Sequence, residues 1–435
     1  MLIVYILLLH ASLSPLLKHF PRASRLTKLA RESGFIERTP RALQLHSFVL
    51  SCLFILTQPL CSLSFHAALL SLCGGSLSKQ ALHKRFKKPQ LIVFLQDLLA
   101  EVLQNRDFNA TAESYQHFGR ILIQDSTTVA LNRKLAQSFP GPANQNNHSQ
   151  AHLRVQSVLE LKSARLLHFL LSPFTTNDQA HASRWLDWIE PNDLIIRDLG
   201  YFSLKGFDTI IQAGAFFLSR LKFGIRIQCP DTGKTLSLKS LLDPAKHTDR
   251  RVCIGKNLQL RFVAIPVPEH IANERRRKAR HNRDKRLAPS PLYYHALGWT
   301  ILITNADQDL LPVSQILNLY RLRWRIESLF KLWKSCCGMR NISKVGPHQA
   351  IPMVLGMLIF SALFHNLFIP QLSASLDPPR ELSPTKLIPI TLLLLCVCML
   401  SSRQLLHNFI ETVPKLALFD SRSRKSSHDL INLIP

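Results

Sequence analysis

Between Pro312 and Gly338 the chain runs from Val313 to Lys334 without a proline or glycine, beginning beside Ser314, and the spacing predicts one long helix. At about 100° per residue, Leu319, Leu322, Ile326, Leu329, Phe330 and Trp333 form an apolar stripe roughly 100° wide that must face a core. Tyr320, Arg323, Glu327 and Lys334 fall within about 60° of one another on a different face. Trp324 and Lys331 lie beside them.

A glutamate in that company has two readings. In the first, the face is solvated and Glu327 pairs with Lys331 one turn on. In the second, Glu327 is held over a phosphodiester, Arg323 and Lys334 pair with phosphates, and the aromatic rings pack on sugar or base. Periodicity does not choose between them.

The second reading needs further carboxylates, because in-line displacement at a phosphodiester is served by two divalent ions about 4 Å apart. Two are placed suggestively. Arg120 to Gln124 is a short apolar run ending at Asp125, and Leu194 to Ile196 is another ending near Asp198, with Gly200 just beyond. If those strands adjoin, both carboxylates point into one crevice. Taken singly, either Asp is as readily a turn-capping side chain. Asp193 precedes its strand, and Asp307 and Asp309 precede the long helix, where capping is natural.

Around these motifs, Leu153 to Leu161, Arg165 to Leu171, Ala215 to Leu221 and Leu297 to Asn305 read as strands, and Asp178 to Ile189 as a helix. The order suits a mixed sheet flanked by helices. Residues 1–105 read as helices, with a basic amphipathic segment from Ser76 to Phe86 suited to DNA contact or to a solvated surface. From Lys222 to Pro268 strand-like stretches dominate. Glu274 to Arg286 then holds eight Lys and Arg in thirteen residues, among them Arg275, Arg276, Arg277, Lys278 and Arg280. That block is either a solvated charge run or a contact for a phosphate backbone.

A formal charge of +26, from 54 Lys and Arg against 28 Asp and Glu, favours a polyanionic partner, nucleic acid or an anionic membrane. Nine scattered cysteines form no paired C-x-x-C elements, and read as reduced, buried thiols of a cytosolic protein rather than a zinc site. The apolar first nine residues lack a preceding basic region and a tidy cleavage site. Ile351 to Ile369 and Leu387 to Leu400 are greasy. His365 and Asn366 interrupt the first and the second is short for a bilayer, so both read as buried helices. Residues 371–386 read as a linker and Arg422 to Lys425 as a basic tail.

Taken in order, these motifs resemble the bacterial insertion-sequence transposases of the DDE type, in the group named for a Tyr-Arg-Glu-Lys signature. Tyr320, Arg323, Glu327 and Lys334 have its spacing. Ile121 to Thr127 resembles the first acidic motif and Ile195 to Tyr201 the second, while Phe216 to Arg220 and Trp299 to Asn305 are similar to further family stretches. The resemblance covers roughly residues 110–350. It implies an α/β, ribonuclease H-like mixed-sheet core in two parts, 106–221 and 291–345, separated by a β-rich insertion over 222–290. Helical regions, 1–105 and 346–435, flank it.

It further implies that Asp125, Asp198 and Glu327 hold two Mg²⁺ or Mn²⁺ ions. Tyr320 and Lys334 would grip terminal phosphates, Arg323 would orient Glu327, and Trp299 and Trp324 are candidates for stacking on a flipped base. The implied partners are double-stranded DNA, as element inverted repeats and target, and a second copy of the chain. The setting is the cytoplasm at the nucleoid, with no membrane partner. Two other readings stay open: a metal-dependent nuclease that does not rejoin, and an inert transposase-derived DNA-binding protein.

Overall fold

The computed structural model describes residues 21–38, 43–55, 62–72, 77–104, 117–143, 149–181, 188–242, 247–255, 258–281, 290–370, 382–389 and 391. The apolar start, residues 371–381 of the linker, nearly all of the 387–400 stretch beyond residue 391, the basic tail and residues 282–286 of the basic block lie outside them.

Along the chain come helices α1 (Ala23–Glu32), α2 (Leu45–Ile55), α3 (Leu63–Leu72), α4 (Lys79–Phe86) and α5 (Gln90–Gln104). Strands β1 (Ile121–Leu131), β2 (Pro140–Ala143), β3 (Ser149–Glu160) and β4 (Leu166–Pro173) follow. Then come α6 (Asp178–His181), β5 (Leu194–Arg197), α7 (Leu204–Gln212), β6 (Phe216–Arg220), β7 (Ile227–Gln228), α8 (Leu238–Leu241), β8 (Thr248–Ile254) and β9 (Leu258–Pro266). The remainder is α9 (Glu269–Arg280), α10 (Pro291–Ala296), β10 (Trp299–Thr304), α11 (Val313–Arg321), α12 (Trp324–Ser335) and α13 (Pro347–Leu363). The described residues fall into two compact units, one within Met1–Ala112, Ser126–Thr176 and Arg325–Asp429, the other within Glu113–Asp125 and Asn177–Trp324.

The first unit is built on apolar helices. In α5, Leu91, Phe94, Leu95, Leu98, Leu99 and Val102 recur at helical spacing, all are buried, and the helix packs against α13. Helix α13 is apolar on every side, which suits only an interior position. The segment Pro347–Asn366 is long and apolar enough to cross a membrane, yet 83% of its apolar window is buried. Two of its polar groups are matched across the unit. Ser361 accepts a 2.7 Å hydrogen bond from the Trp333 indole, and the Asn366 amide bonds both backbone groups of Leu166 at the start of β4, at 2.9 and 3.0 Å. Strand β3 pairs antiparallel with β2 and β4, and the second half of β1 runs beside it. Helix α4, capped by Ser78, spends Arg85 over the Phe35 ring at 5.9 Å and leaves Lys79 and Lys84 exposed.

The second unit is a sheet in the order β1-β5-β6-β10-β9-β8-β7. Its first three strands are parallel and the rest antiparallel. Strand β5 is buried along its whole length, as a parallel strand covered on both faces must be, hence the unbroken run Leu194-Ile195-Ile196. A mixed sheet flanked by helices is the expected fold class, and this strand arrangement is consistent with a ribonuclease H-like core.

One local expectation is modified and two are filled in. The strands of the insertion join the core sheet, since β9 pairs along β10, which pairs with β6, so β7 to β9 extend it. The basic block begins within helix α9. The long helix is broken. The Leu322 N–H is shared between the Asn318 and Leu319 carbonyls and Arg323 N–H bonds Tyr320 O, a tight three-residue turn that ends α11 before α12 begins. Helix α12 stops short of Gly338, whose φ of +69° is the left-handed conformation glycine tolerates at a helix end. Of the segment read as a helix from Asp178 to Ile189, α6 and the non-α-helical Trp188 and Ile189 lie in described residues.

Candidate active site

The two aspartates are brought together by register. Strands β1 and β5 are parallel, with Gln124 opposite Arg197 as the last pair, so Asp125 in β1 and Asp198, the extended residue just past β5, come next in the same register on strands about 4.8 Å apart. Strand β6 adds a third member. Ser219 lies opposite Arg197, which sets Arg220 beside Asp198. The row reads Asp125, Asp198, Arg220.

Neither aspartate is spent on a turn. Asp198 stands at the N-cap of the short 3-10 turn Leu199–Tyr201, yet its side chain makes no capping hydrogen bond. Among the described residues its carboxylate has no hydrogen bond or ion pair, and only its backbone carbonyl accepts, from Tyr201 N at 3.1 Å. The Asp125 carboxylate, 17% exposed, accepts a 3.2 Å hydrogen bond from Arg323 Nη1. Asp193 takes the structural role its position suggests: 1% exposed, it accepts from Arg120 Nε at 2.9 Å and from Glu190 N at 2.8 Å.

The break between α11 and α12 supplies the other walls. Arg323, buried at that break, also lies 5.4 Å from the Trp324 ring, and Trp324 is 56% exposed. The Tyr320 hydroxyl is raised above its ordinary pKa, first by burial and then by the charge of Asp198, with Arg323 and Arg220 opposing. Those influences place Tyr320 in the same field as Asp198 and both arginines. Trp299, by contrast, is only 5% exposed and forms part of the β10 ladder, so its ring is core and not a stacking surface.

Glu327, Lys331 and Lys334 belong to α12 in the other unit, where Glu327 and Lys334 are half-buried and Lys331 is exposed. The apolar stripe of the same segment is buried throughout, from Leu319 and Leu322 to Trp333. Among the described residues no group of three or more His, Cys, Asp or Glu side chains stands close enough to hold a metal ion. The donor chemistry of Asp125 and Asp198 nonetheless fits a hard divalent cation: two carboxylates, side by side, one with no competing partner.

The basic helix divides into two sets. Arg275 is half-buried, donating to Trp299 O at 2.9 Å, and Arg276 bonds Glu269 and Asn273 at 2.8 and 3.0 Å. These two hold the fold. Arg277, Lys278 and Arg280 are exposed, Lys278 pairing with Glu274 at 2.7 Å and Arg280 lying 5.9 Å from the Tyr294 ring. The described cysteines are all free, with Cys52 and Cys337 buried and Cys229, Cys253 and Cys336 only half-buried.

Arg220 was not legible as a site residue. The stretch Phe216 to Arg220 reads as a strand, but its in-register pairing with β5 is a long-range fact. The available signal was a cation closing an apolar run, the same pattern that marks the aspartates.

The Transposase DDE domain family model matches residues 116–360. The transposase of insertion sequence element IS231B from Bacillus thuringiensis subsp. berliner is 29% identical over 370 residues, covering 77% of this chain and 75% of the relative. That of IS231E from Bacillus thuringiensis subsp. finitimus is 28% identical over 413 residues, covering 87% and 83%. That of IS1151 from Clostridium perfringens is 25% identical over 395 residues, covering 83% and 82%. With more than half its length matched, and with both aspartates, the arginine row and the broken helix all inside the match, the chain belongs to the DDE transposase family.

Proposed function

We propose that this protein is a DNA transposase that cleaves insertion-sequence ends and joins them to target DNA. The observation that carries the reading is the row Asp125, Asp198, Arg220: two adjacent carboxylates, one within β1 and one just past the end of the parallel β5, with a cation beside them and Arg323 bonded to the first. Asp125 and Asp198 would hold Mg²⁺ or Mn²⁺, with Glu327 as the third carboxylate. Such an ion pair stabilises both the attacking and the leaving oxygen of an in-line displacement.

The residues around them bind and orient. Arg220 and Arg323 would pair with phosphate oxygens next to the carboxylates, and the exposed Trp324 ring would offer a face to sugar or base. Tyr320 keeps its proton at neutral pH and so serves as a hydrogen-bond donor. Lys334 and Lys331 would contact phosphates of the element end. Arg277, Lys278 and Arg280 would add backbone contacts that position without specifying sequence. Pairing two ends calls for at least two copies of the chain, acting in the cytoplasm at the nucleoid.

The test is a strand-transfer assay with the full chain, Mg²⁺, a labelled duplex of the DNA flanking its gene, and a supercoiled target. Joined product that disappears with Glu327→Ala is the expected result. Cleavage without joining would make the protein a nuclease, and tight binding with neither would make it an inert descendant.

A further inference from the structure

One residue behind the acidic row, the same three strands carry Gln124, Arg197 and Ser219, paired in register and 2%, 1% and 0% exposed. Side chains alternate along a strand, so this row lies on the opposite face of the sheet from Asp125 and Asp198. Gln124 Nε2 and Arg197 Nε and Nη1 are enclosed, and none has a hydrogen-bond acceptor among the described residues. All three are donors.

The first turn of α7 meets this cluster. Ser203 caps the helix by accepting from Gly206 N at 3.2 Å. A methyl group at Gly206 would lie 3.6 Å from Arg197 Nη1 and 3.6 Å from Ser203 Oγ, so the guanidinium is aimed at the turn. That end of α7 carries the positive pole of the helix dipole. A buried cation thus sits against another positive locus, an arrangement that is strongly unfavourable without a counter-charge.

The carboxylates near it in the chain do not supply one. Asp198 is on the other face, Asp193 is bound by Arg120, and Asp208, further along α7, accepts from Gln212 at 2.9 Å. Lys205 on the same turn only adds positive charge.

We propose that Arg197, Gln124 and the first turn of α7 form a binding site for a small inorganic anion of halide size. The near-complete enclosure of Arg197 and the short reach to Gly206 admit a monatomic anion and not a nucleic-acid phosphate. Such an anion would neutralise the strand that presents Asp198 without touching the reacting atoms.

The test follows thermal unfolding of the full chain, free of DNA and divalent metal, as chloride or bromide replaces gluconate at constant ionic strength. The expected result is a saturable rise of a few degrees in the wild type. Arg197→Met should lose that rise. Gly206→Ala, whose added methyl makes only ordinary contacts, should also lose it while melting in gluconate at or above the wild-type temperature, because alanine favours the helix. Because the protein is strongly basic, a rise that persists in both variants would mean the anion binds elsewhere and would overturn the proposal. So would a wild type indifferent to halide, or a response to inorganic phosphate alone. Neither depends on whether the chain transposes.

Discussion

Asp125, Asp198 and Arg220 differ from Gln124, Arg197 and Ser219 by one position on each strand, yet the two rows have opposite fates. The first faces outward with half-buried carboxylates, one of them bonded to Arg323. The second faces a helix, is shut off from water, and consists of donors. The alternation of side chains along one ladder therefore separates a row suited to gripping a metal and a phosphate from a row that must be neutralised internally. A slip of one residue in the pairing of β5 would exchange them.

The largest effect should come from the outward row. Asp125→Ala or Asp198→Ala is expected to take Mg²⁺-dependent cleavage below detection while DNA binding persists in a gel-shift assay; ordinary cleavage by either variant would remove that residue from the site. Next, Arg220→Ala should slow cleavage by roughly 10- to 100-fold, the loss expected for one charge-assisted hydrogen bond to phosphate. A rate equal to wild type would mean that Arg220 only borders the row.

The basic helix offers a parallel contrast between cations that face outward and those turned into the fold. Replacing Arg277, Lys278 and Arg280 together with alanine should flatten the dependence of log affinity on log salt by about 2 to 3 units. Arg275→Ala should leave that slope alone and instead lower stability by about 1–3 kcal/mol in urea unfolding, because it strands the Trp299 carbonyl. If the two variants behave alike, the division of the helix is wrong. The smallest change belongs to the inward row. Gln124→Leu removes a buried donor for a similar volume and should shift stability by no more than about 1 kcal/mol, with cleavage retained.

How much of this could be read from residue order depends on the range of the interactions involved. The apolar runs leading into Asp125 and Asp198, the apolar stripe from Leu319 to Trp333, and the interior helix α13 are local patterns of period two or 3.6, and, although β1 runs on through Asp125 to Leu131 instead of ending there, each was legible. The break at Leu322 was not, because no glycine or proline marks it. It is the place where Arg323 turns to meet Asp125, a partner 198 positions away. The place of Arg220 beside Asp198 and the burial of Trp299 were not legible for the same reason: which strand β6 or β10 lies beside is decided by the whole sheet. Composition likewise could not divide α9 into cations that bond carbonyls and cations that face solvent.

The continuity of the sheet through β10 has a mechanical consequence. Hydrogen-bonded strands keep a nearly constant spacing, so β9 stands about 10 Å from β6 with only β10 between. Arg275 fastens α9 to β10 by its bond to the Trp299 carbonyl. The exposed cations of α9 are thereby held at a set interval from the row ending in Arg220, like two marks on a stiff ruler. A duplex laid across both marks must conform to that interval by bending or twisting, because the protein has no joint there with which to adjust.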